Sequence, residues 1–240
     1  MNNIHIKKQL LTQDRRRLLL RDFLVEAIAL DLYEAAKDIN RAWEFVQIES
    51  PSLVDRALVS KEYSETDFFA VGENLALKPE TTFASYEYLD DLLTSNPSRY
   101  KLPLCIYQLS KSYRNEQDKT NKHLRLREFY QLEFQFIYSD SSKADYVSHF
   151  RKSAEEAISR HFRHTKIRSI PSDRLPSYSR STQDIEIALD SNWNTVPATD
   201  NNADHYWMEV ASMSDRDDCI IPNTRNIEIA IGLDRLVSLY

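Results

Sequence analysis

SYRNE at residues 112–116 and RLREFYQLEFQF at residues 125–136 are the segments from which the architecture of this chain can be inferred. Both lie within residues 106–138, where polar and apolar residues alternate as they do on the two faces of a β-strand. A polar segment separates the two alternating runs, so the sequence predicts a long antiparallel hairpin. A loop centred near residue 120 pairs Arg114 with Arg127 and places both polar sides on one face of the sheet.

The polar face of this hairpin contains arginines, carboxylates, amides and one aromatic residue. Its members are Gln108, Ser110, Ser112, Arg114 and Glu116 on the first strand, and Arg125, Arg127, Phe129, Gln131, Glu133 and Gln135 on the second. Three later runs, 184–189, 207–210 and 227–232, alternate in the same way and present Asp184, Glu186, Glu209 and Glu228. A single face of this kind is usually the solvated side of an antiparallel sheet. Five such strands, rich in arginine and carboxylate, instead indicate a binding site.

Helices and further strands are predicted around this sheet. Apolar residues at three- and four-residue spacing predict helices at 18–39 and 145–164, a further helix is expected at 81–93, and a short final helix begins near Leu233. Strands are expected at 46–49, ending before Pro51, and at 68–71 and 75–77 within the otherwise irregular segment 52–76. Residues 167–180 are predicted to be a connection, and residues 191–205 a surface loop. The fold class is therefore α+β.

Composition excludes several classes of function. The net charge is -6 and the pI about 5.6, which argues against non-specific nucleic-acid binding as the main activity. The chain has two glycines, Gly72 and Gly232, so a glycine-rich phosphate loop is ruled out. Cys105 and Cys219 stand far apart, which suggests neither a disulfide framework nor a zinc site. No uninterrupted apolar run reaches membrane-spanning length, so we expect a cytoplasmic protein without a membrane partner.

The residues on the polar sheet face have the chemistry to bind a nucleotide. Arginine binds phosphate oxygens through paired, charge-assisted hydrogen bonds, and Arg114, Arg127 and Arg235 could together hold a triphosphate. Glu186 and Glu209 could hold Mg²⁺, which usually takes one or two protein carboxylates. Phe129 offers a surface on which a base could stack.

These residues also resemble a known family. The segments 112–116 and 125–136 resemble motif 2 of class II aminoacyl-tRNA synthetases in its glycyl form, and AWEFVQIESPSLV, residues 42–54, resembles motif 1. LKPETTF, residues 77–83, resembles the preceding substrate-site segment of glycyl enzymes. DIE at 184–186 and WMEVASMSDRDD at 207–218 resemble their acidic strands, and EIAIGLDRL at 228–236 resembles motif 3.

The resemblance implies ATP as a substrate, Mg²⁺ as a cofactor and a role for individual residues. It implies that Arg114 contacts the α-phosphate and the amino-acid carboxylate, and that Arg235 binds the γ-phosphate. Arg114 and Arg235 would be the catalytic residues. The implied ATP-binding set is Arg114, Asn115, Glu116, Arg125, Arg127, Phe129, Glu209, Val210, Gly232 and Arg235. The implied amino-acid-binding set is Glu80, Gln131, Glu133, Glu228 and Ala230, with Glu209 and Glu186 as the metal ligands.

The chain departs from the glycyl pattern in ways that bear on its substrate. Ala230 stands where glycyl enzymes have a serine, so alanine or serine could be admitted beside glycine. Residues 1–240 are expected to form a single catalytic domain without the anticodon-binding domain of glycyl enzymes. Basic residues at 15–17 and at 160–168 could contact an RNA acceptor, or could be solvated helix faces.

Three functions remain open on these residues. The first is a stand-alone enzyme that makes an aminoacyl-adenylate and passes the aminoacyl group to a non-standard acceptor. The second is a minimal tRNA-charging enzyme. The third is a non-catalytic accessory subunit, against which the retention of Arg114, Glu116 and Arg235 argues. In each case the resemblance of the first helix and strand to motif 1 implies a homodimer.

Overall fold

The computed structural model describes residues 5–7, 10–95, 101–115, 124–173, 175–201 and 205–240. Its helices are α1 (Arg15–Ile39), α2 (Arg56–Val59), α3 (Thr82–Ser95), α4 (Tyr146–His161) and α5 (Leu233–Ser238). Its strands are β1 (His5–Lys7), β2 (Leu10–Thr12), β3 (Glu44–Gln47), β4 (Leu53–Asp55), β5 (Phe69–Val71), β6 (Leu75–Leu77), β7 (Leu104–Tyr113), β8 (Glu128–Ser139), β9 (Ile167–Pro171), β10 (Ser179–Leu189), β11 (Tyr206–Arg216) and β12 (Thr224–Gly232).

Seven strands form the main sheet, in the order β3-β7-β8-β12-β11-β10-β9. Neighbouring strands are antiparallel except β3 and β7, which are parallel. In the hairpin of β7 and β8, Tyr113 pairs with Glu128, and the Arg114 amide donates to the Arg127 carbonyl at 2.9 Å. The predicted hairpin register and the α+β class with an antiparallel sheet flanked by helices are confirmed.

One face of the sheet packs against α1 and α4. Helix α1 begins after Asp14, whose carboxylate accepts a hydrogen bond from the Arg17 amide at 3.0 Å and so caps the helix. Every fourth residue on one side of α1 is fully buried, namely Leu24, Ile28, Leu32 and Ala36. Phe136 of β8 lies 4.0 Å, centroid to centroid, from Phe150 of α4, and Trp43 packs edge-on to both rings. These aromatic contacts form the centre of the main core.

The opposite sheet face is apolar at one end and polar at the other. Leu89 of α3 packs there with Leu104, Ile106 and Ile137, which closes that end. A separate three-stranded sheet, in the order β4-β6-β5, has its own small core of Val54, Val59, Phe68 and Ala76. The remaining polar part of the main sheet face is the floor of the cavities described below.

The structure corrects two sequence-based predictions. The segment 167–180, predicted to be a connection, contains the edge strand β9, which pairs with β10. Proline is tolerated at the end of an edge strand because its missing N–H would face away from the ladder, so Pro171 did not exclude a strand. The predicted irregular segment 52–76 contains β4 and α2 as well as the two expected short strands. Helix α2 has only four residues, too few to show a helical periodicity.

Among the described residues, no helix is both long enough and apolar enough to span a membrane.

Candidate active site

A row of directly paired residues crosses the polar face of the main sheet. Gln108 pairs with Glu133, Glu133 with Ala230, Ala230 with Ser212, and Ser212 with Asp184. Directly paired residues point to the same side, so the row forms the floor of one cleft. A cavity of about 560 Å³ lies over this floor, and an adjoining cavity of about 130 Å³ extends toward Phe129 and α5.

Three glutamates form an acidic pocket at one end of the larger cavity. Glu80, Glu133 and Glu228 are almost fully buried. Glu133 accepts hydrogen bonds from the Thr81 hydroxyl at 2.5 Å and from the Gln135 amide at 2.8 Å. The Gln135 amide also reaches Glu228 at 2.9 Å, so one side chain fixes two carboxylates.

Burial alters the acid–base behaviour of this acidic pocket. Burial, followed by repulsion from Glu228, raises the pKa of Glu80 to about 7 and that of Glu133 to about 8. The Tyr63 hydroxyl donates to Glu80 Oε2 at 2.6 Å, whereas Glu80 Oε1 has no hydrogen-bond partner in the described part of the chain. A buried acceptor without a donor is costly, and a cationic ligand would supply the missing donor. The acidic pocket therefore suits an ammonium group.

Arg216 is the buried cation behind the acidic pocket. Its guanidinium donates to Glu228 Oε2 at 2.5 Å and to both oxygens of Asp218, at 2.9 and 2.6 Å. The ring of Tyr178 lies 3.8 Å from the guanidinium carbon. Burial works against the charged form, but the nearby Glu228 and the hydrogen bond to Asp218 outweigh it and raise the pKa of Arg216. Arg216 thus stays charged and holds Glu228 in place.

The cationic side of the site is formed by Arg114 and Arg235, which line both cavities. Arg114 Nε donates to the Pro79 carbonyl at 3.0 Å, and its guanidinium carbon lies 5.5 Å from the centroid of the Phe129 ring. Arg235 Nη1 donates to the Glu209 carbonyl at 2.6 Å. These contacts direct two guanidinium groups into one cleft, where they could hold phosphate oxygens.

The final helix is tied to the hairpin through Asp234. This buried carboxylate accepts hydrogen bonds from the Tyr130 amide at 2.6 Å and from the side chain of Gln13. Burial raises the pKa of Asp234 to about 6, and the Tyr130 hydrogen bond opposes that rise. Because Asp234 is fixed, the adjacent Arg235 is held just beyond the end of β12.

The two predicted metal ligands differ in how they fit a cation. No cluster of three or more histidine, cysteine, aspartate or glutamate residues suitable for a metal occurs in the described ranges. Glu209 and Glu186 are paired across β10 and β11. The Glu209 carboxylate is 46% exposed and lies 3.7 Å from Arg235, so it can reach a cation carried by phosphates. Glu186 accepts a hydrogen bond from Arg168 at 2.6 Å, and this ion pair must open before Glu186 can bind a metal.

Most of the predicted site residues line these cavities. Those that do are Glu80, Arg114, Arg125, Phe129, Gln131, Glu133, Glu186, Glu209, Val210, Glu228, Ala230, Gly232 and Arg235. Asn115 lines neither cavity, since its amide donates to the Thr66 carbonyl at 3.1 Å. Arg127 also lies outside both linings, although its carbonyl pairs with Arg114. Glu116 and the motif 2 loop at 117–123 lie outside the described residues.

Sequence reasoning assigned no role to several residues that line or support the site. Tyr63 and Tyr178 line the larger cavity, but isolated tyrosines in irregular segments give no periodic signal. Arg216 lies in the segment 207–218, and its contact with Glu228 depends on the pairing of β11 with β12. Lys78 is fully buried and donates to the hydroxyls of Ser50 and Ser110 at 2.5 and 2.6 Å. Burial lowers the pKa of Lys78 to about 8.

Comparison with protein families gives one match that covers most of the chain. The model described as "tRNA synthetase class II core domain (G, H, P, S and T)" matches residues 68–240. Similar proteins include the glycine–tRNA ligase of Mesoplasma florum, 29% identical over an alignment of 174 residues that covers 67% of this chain and 38% of that protein. A glycine–tRNA ligase of Bacillus cereus is 25% identical over 82% of this chain and 43% of its own length. The chain thus spans about two fifths of the curated relatives it matches.

Solved structures support the fold. The prolyl-tRNA synthetase of Giardia lamblia in complex with prolyl-adenylate superimposes with a TM-score of 0.64 over 96% of this chain and 47% of that one, at 18% identity. PylSc of Desulfitobacterium hafniense, a pyrrolysyl tRNA synthetase, gives a TM-score of 0.60 over 90% of this chain and 65% of that one, at 15% identity. At such identities the likeness establishes the shared architecture alone.

Proposed function

Since the chain belongs to the class II aminoacyl-tRNA synthetase core family, we propose that it is an ATP-dependent ligase that activates an amino acid as its aminoacyl-adenylate. The observation that supports this proposal best is the shared cleft. Arg114, Arg235 and the Phe129 ring line the same cleft as three buried glutamates. This arrangement offers a place for a polyanion, a flat base and an ammonium group within one cavity system.

In this proposal the two substrates occupy opposite parts of the cleft. The glutamates of the acidic pocket bind the ammonium group of the amino acid, while Gln131 and Ala230 lie beside it. Phe129 supports the adenine, and Arg235 binds the terminal phosphate. Arg114, which lies between these regions, binds both the amino-acid carboxylate and the α-phosphate. Mg²⁺ held at Glu209 would neutralise phosphate charge.

The proposed reaction needs no nucleophile from the protein. A carboxylate oxygen of the amino acid attacks the α-phosphorus, a new P–O bond forms, and the bond to the β-phosphate oxygen breaks with loss of pyrophosphate. Arg114 and Arg235 stabilise the charge that develops on the phosphate oxygens. Positioning of this kind, together with fixed charges, can account for most of the acceleration.

For the aminoacyl acceptor we propose a molecule other than a conventionally recognised tRNA. Of the two basic segments that are candidates for RNA contact, 15–17 and 160–168, the second is engaged within the chain. Arg160 forms an ion pair with Asp31, Arg168 pairs with Glu186, and Lys166 donates to the Asp200 carbonyl at 3.0 Å. These contacts favour a structural role for the basic segment.

A minimal tRNA-charging enzyme is the second candidate, and the names of the glycine–tRNA ligase relatives favour it. A non-catalytic accessory subunit is less well supported, because Arg114, Phe129 and Arg235 surround one cavity. We further propose that residues 1–240 act as one catalytic domain, in a cytoplasmic homodimer that contacts its partner through α1.

Amino-acid-dependent exchange between ATP and labelled pyrophosphate tests the proposal. Exchange should occur with at least one amino acid, and Arg114→Ala should reduce it about 100- to 1,000-fold because one charge-stabilising donor is removed. Arg41→Ala, at an exposed arginine after α1, is the matched control and should keep full exchange. Absence of exchange with every amino acid would favour the accessory subunit. Exchange followed by transfer to bulk tRNA would favour the minimal charging enzyme.

A further inference from the structure

The larger cavity continues well beyond the acidic pocket. In the floor row, Ala230, Ser212 and Asp184 follow Glu133 on three successive strands. Neighbouring strands are about 4.8 Å apart, so the backbone at Asp184 lies roughly 14 Å from that at Glu133. Glycine spans only about 3–4 Å from its nitrogen to a carboxylate oxygen, as standard bond lengths require. A glycine bound in the acidic pocket would therefore leave the far part of the cavity unused.

Small side chains leave open space above the middle of this floor. Ala230 and Ser212 both line the cavity and pair directly with each other. The neighbouring hydroxyls of Thr182 and Ser214 form a hydrogen bond with each other at 3.0 Å. The Ser212 hydroxyl, in contrast, makes no hydrogen bond with any residue that the structure describes. Ser212 is thus a polar group facing the cavity whose hydrogen bonding is left to a ligand.

A carboxylate stands at the far end of the floor. Asp184 pairs with Ser212 across β10 and β11, is partly buried and lines the cavity. It accepts a hydrogen bond from Ser172 and forms no ion pair with a described residue. Two of the arginines that line the same cavity form ion pairs with other carboxylates, Arg168 with Glu186 and Arg235 with Glu209.

The charge around Asp184 reinforces its acceptor character. Two further carboxylates, Glu186 on the same strand and Glu209 paired with it, line the same cavity. A hydrogen-bond donor, above all a cationic one, would reduce the repulsion among these carboxylates. An apolar group placed there would bury the carboxylate without a partner, which is unfavourable.

We infer that the amino acid activated at this site has a side chain that crosses Ala230 and ends in a hydrogen-bond donor bound by Ser212 and Asp184. This inference rests on the proposed function. The distance along the floor corresponds to a side chain of about three to five heavy atoms beyond Cα. Amines and hydroxyls can both donate the required hydrogen bond. Asp184 should distinguish between them, because a carboxylate binds an ammonium group more strongly than a hydroxyl.

Pyrophosphate exchange with matched pairs of amino acids tests this inference. The donor-bearing members are homoserine, 2,4-diaminobutyrate, ornithine and lysine. Their apolar counterparts of equal length are norvaline for the first two, norleucine for ornithine and 2-aminoheptanoate for lysine, with glycine as the unsubstituted reference. At least one donor-bearing member should exceed its counterpart and glycine in kcat/KM by about 10- to 100-fold, as one hydrogen bond to a charged group allows. Asp184→Asn should abolish the preference for an amine, and Ser212→Ala the preference for a hydroxyl.

Controls separate binding from folding and from the proposed function. Asp140→Asn changes an exposed carboxylate outside the cavities and should leave the ranking unaltered. Thermal melting should show that Asp184→Asn and Ser212→Ala remain folded. Glycine or an apolar amino acid as the best substrate would overturn this inference while the proposed function stands. No exchange with any member of the panel would also overturn this inference, whereas the proposed function fails only if no amino acid at all supports exchange.

Discussion

Among single residues, Tyr63 links the acidic pocket to the cationic side of the cleft. Its hydroxyl donates to Glu80, and its ring centroid lies 6.0 Å from the guanidinium carbon of Arg114. Burial and the neighbouring Glu80 raise the pKa of Tyr63 well above its ordinary value, so the phenol remains a neutral donor. Tyr63 therefore acts as a positioning residue for Glu80, through a hydrogen bond that also stabilises the ionised carboxylate.

Tyr63→Phe should weaken amino-acid binding. The substitution keeps the ring near Arg114 but removes the donor to Glu80, and a hydrogen bond to a charged acceptor contributes about 1.5–3 kcal/mol. We expect KM for the amino acid to rise about 10- to 100-fold, with little change in KM for ATP. The pH at which kcat/KM reaches half its maximum should also rise, because the pKa of Glu80 rises further without its donor.

The pH profile distinguishes positioning from a structural role. Tyr206→Phe removes a hydroxyl from an exposed ring and serves as the control. A similar loss in both KM values with an unchanged pH profile would show that Tyr63 only supports the local fold.

Among the secondary-structure elements, strand β8 contributes side chains both to the core and to the candidate active site. Phe134 and Phe136 are fully buried in the core beneath the helices, while Glu133 and Gln135 face the cleft. Successive strand residues point to opposite faces, so a slip of one residue would exchange the two sets. The nine or more residues paired on each side of β8 hold this register.

Helix α1 has a second apolar face, which we assign to a partner copy. Leu19, Phe23 and Leu30 lie on one side of the helix at spacings of four and seven residues, and are 61%, 54% and 57% exposed. Leu19→Glu combined with Leu30→Glu should convert a homodimer to monomers, because burying two carboxylates in the interface is unfavourable. Multi-angle light scattering at micromolar concentration measures the change.

The homodimer prediction has a direct control on the same protein. Ile220→Glu alters an exposed apolar residue between β11 and β12 and should leave the molecular mass unaffected. A monomer in the unmodified protein would contradict the assignment of the apolar α1 face to a second copy.

Buried carboxyl groups determine how the whole molecule responds to pH. Burial raises the pKa values of Glu80, Glu133, Asp184 and Asp234 to about 7, 8, 6 and 6. Between about pH 4.5 and 8 the folded chain keeps protons that the unfolded chain has lost. Stability must then fall as the pH rises through this range. His161, whose pKa burial lowers, acts in the opposite direction over part of it.

The melting temperature should therefore fall between about pH 5 and pH 8. For a chain of this length each kcal/mol lost shifts Tm by about 2–4 °C. Glu80→Gln combined with Glu133→Gln should flatten the profile, because neither amide titrates. Differential scanning calorimetry at several pH values provides the test. A Tm that stays constant or rises over this range would show that these carboxyl groups are ionised in the folded chain.

The order of amino acids alone was enough to predict the hairpin, its register and many of the charged residues that line the cleft. Strand alternation has a period of two residues, so the polar face of β7 and β8 could be read directly from the sequence. The separation of the two faces follows from the same pattern, which also places Arg114 opposite Arg127. Long helices such as α1 could be predicted equally well, because their apolar residues repeat over several turns.

Only the tertiary structure shows which of these residues contact one another. The Thr82 hydroxyl donates a hydrogen bond to Glu228 and accepts one from Arg216, which joins segments more than 100 residues apart, and no local pattern encodes such contacts. The edge strand β9 and the extension of the cavity toward Asp184 likewise depend on strand order. A side chain's pKa and binding partners are set by its three-dimensional neighbours, whereas periodicity reports only which face of its own element it occupies.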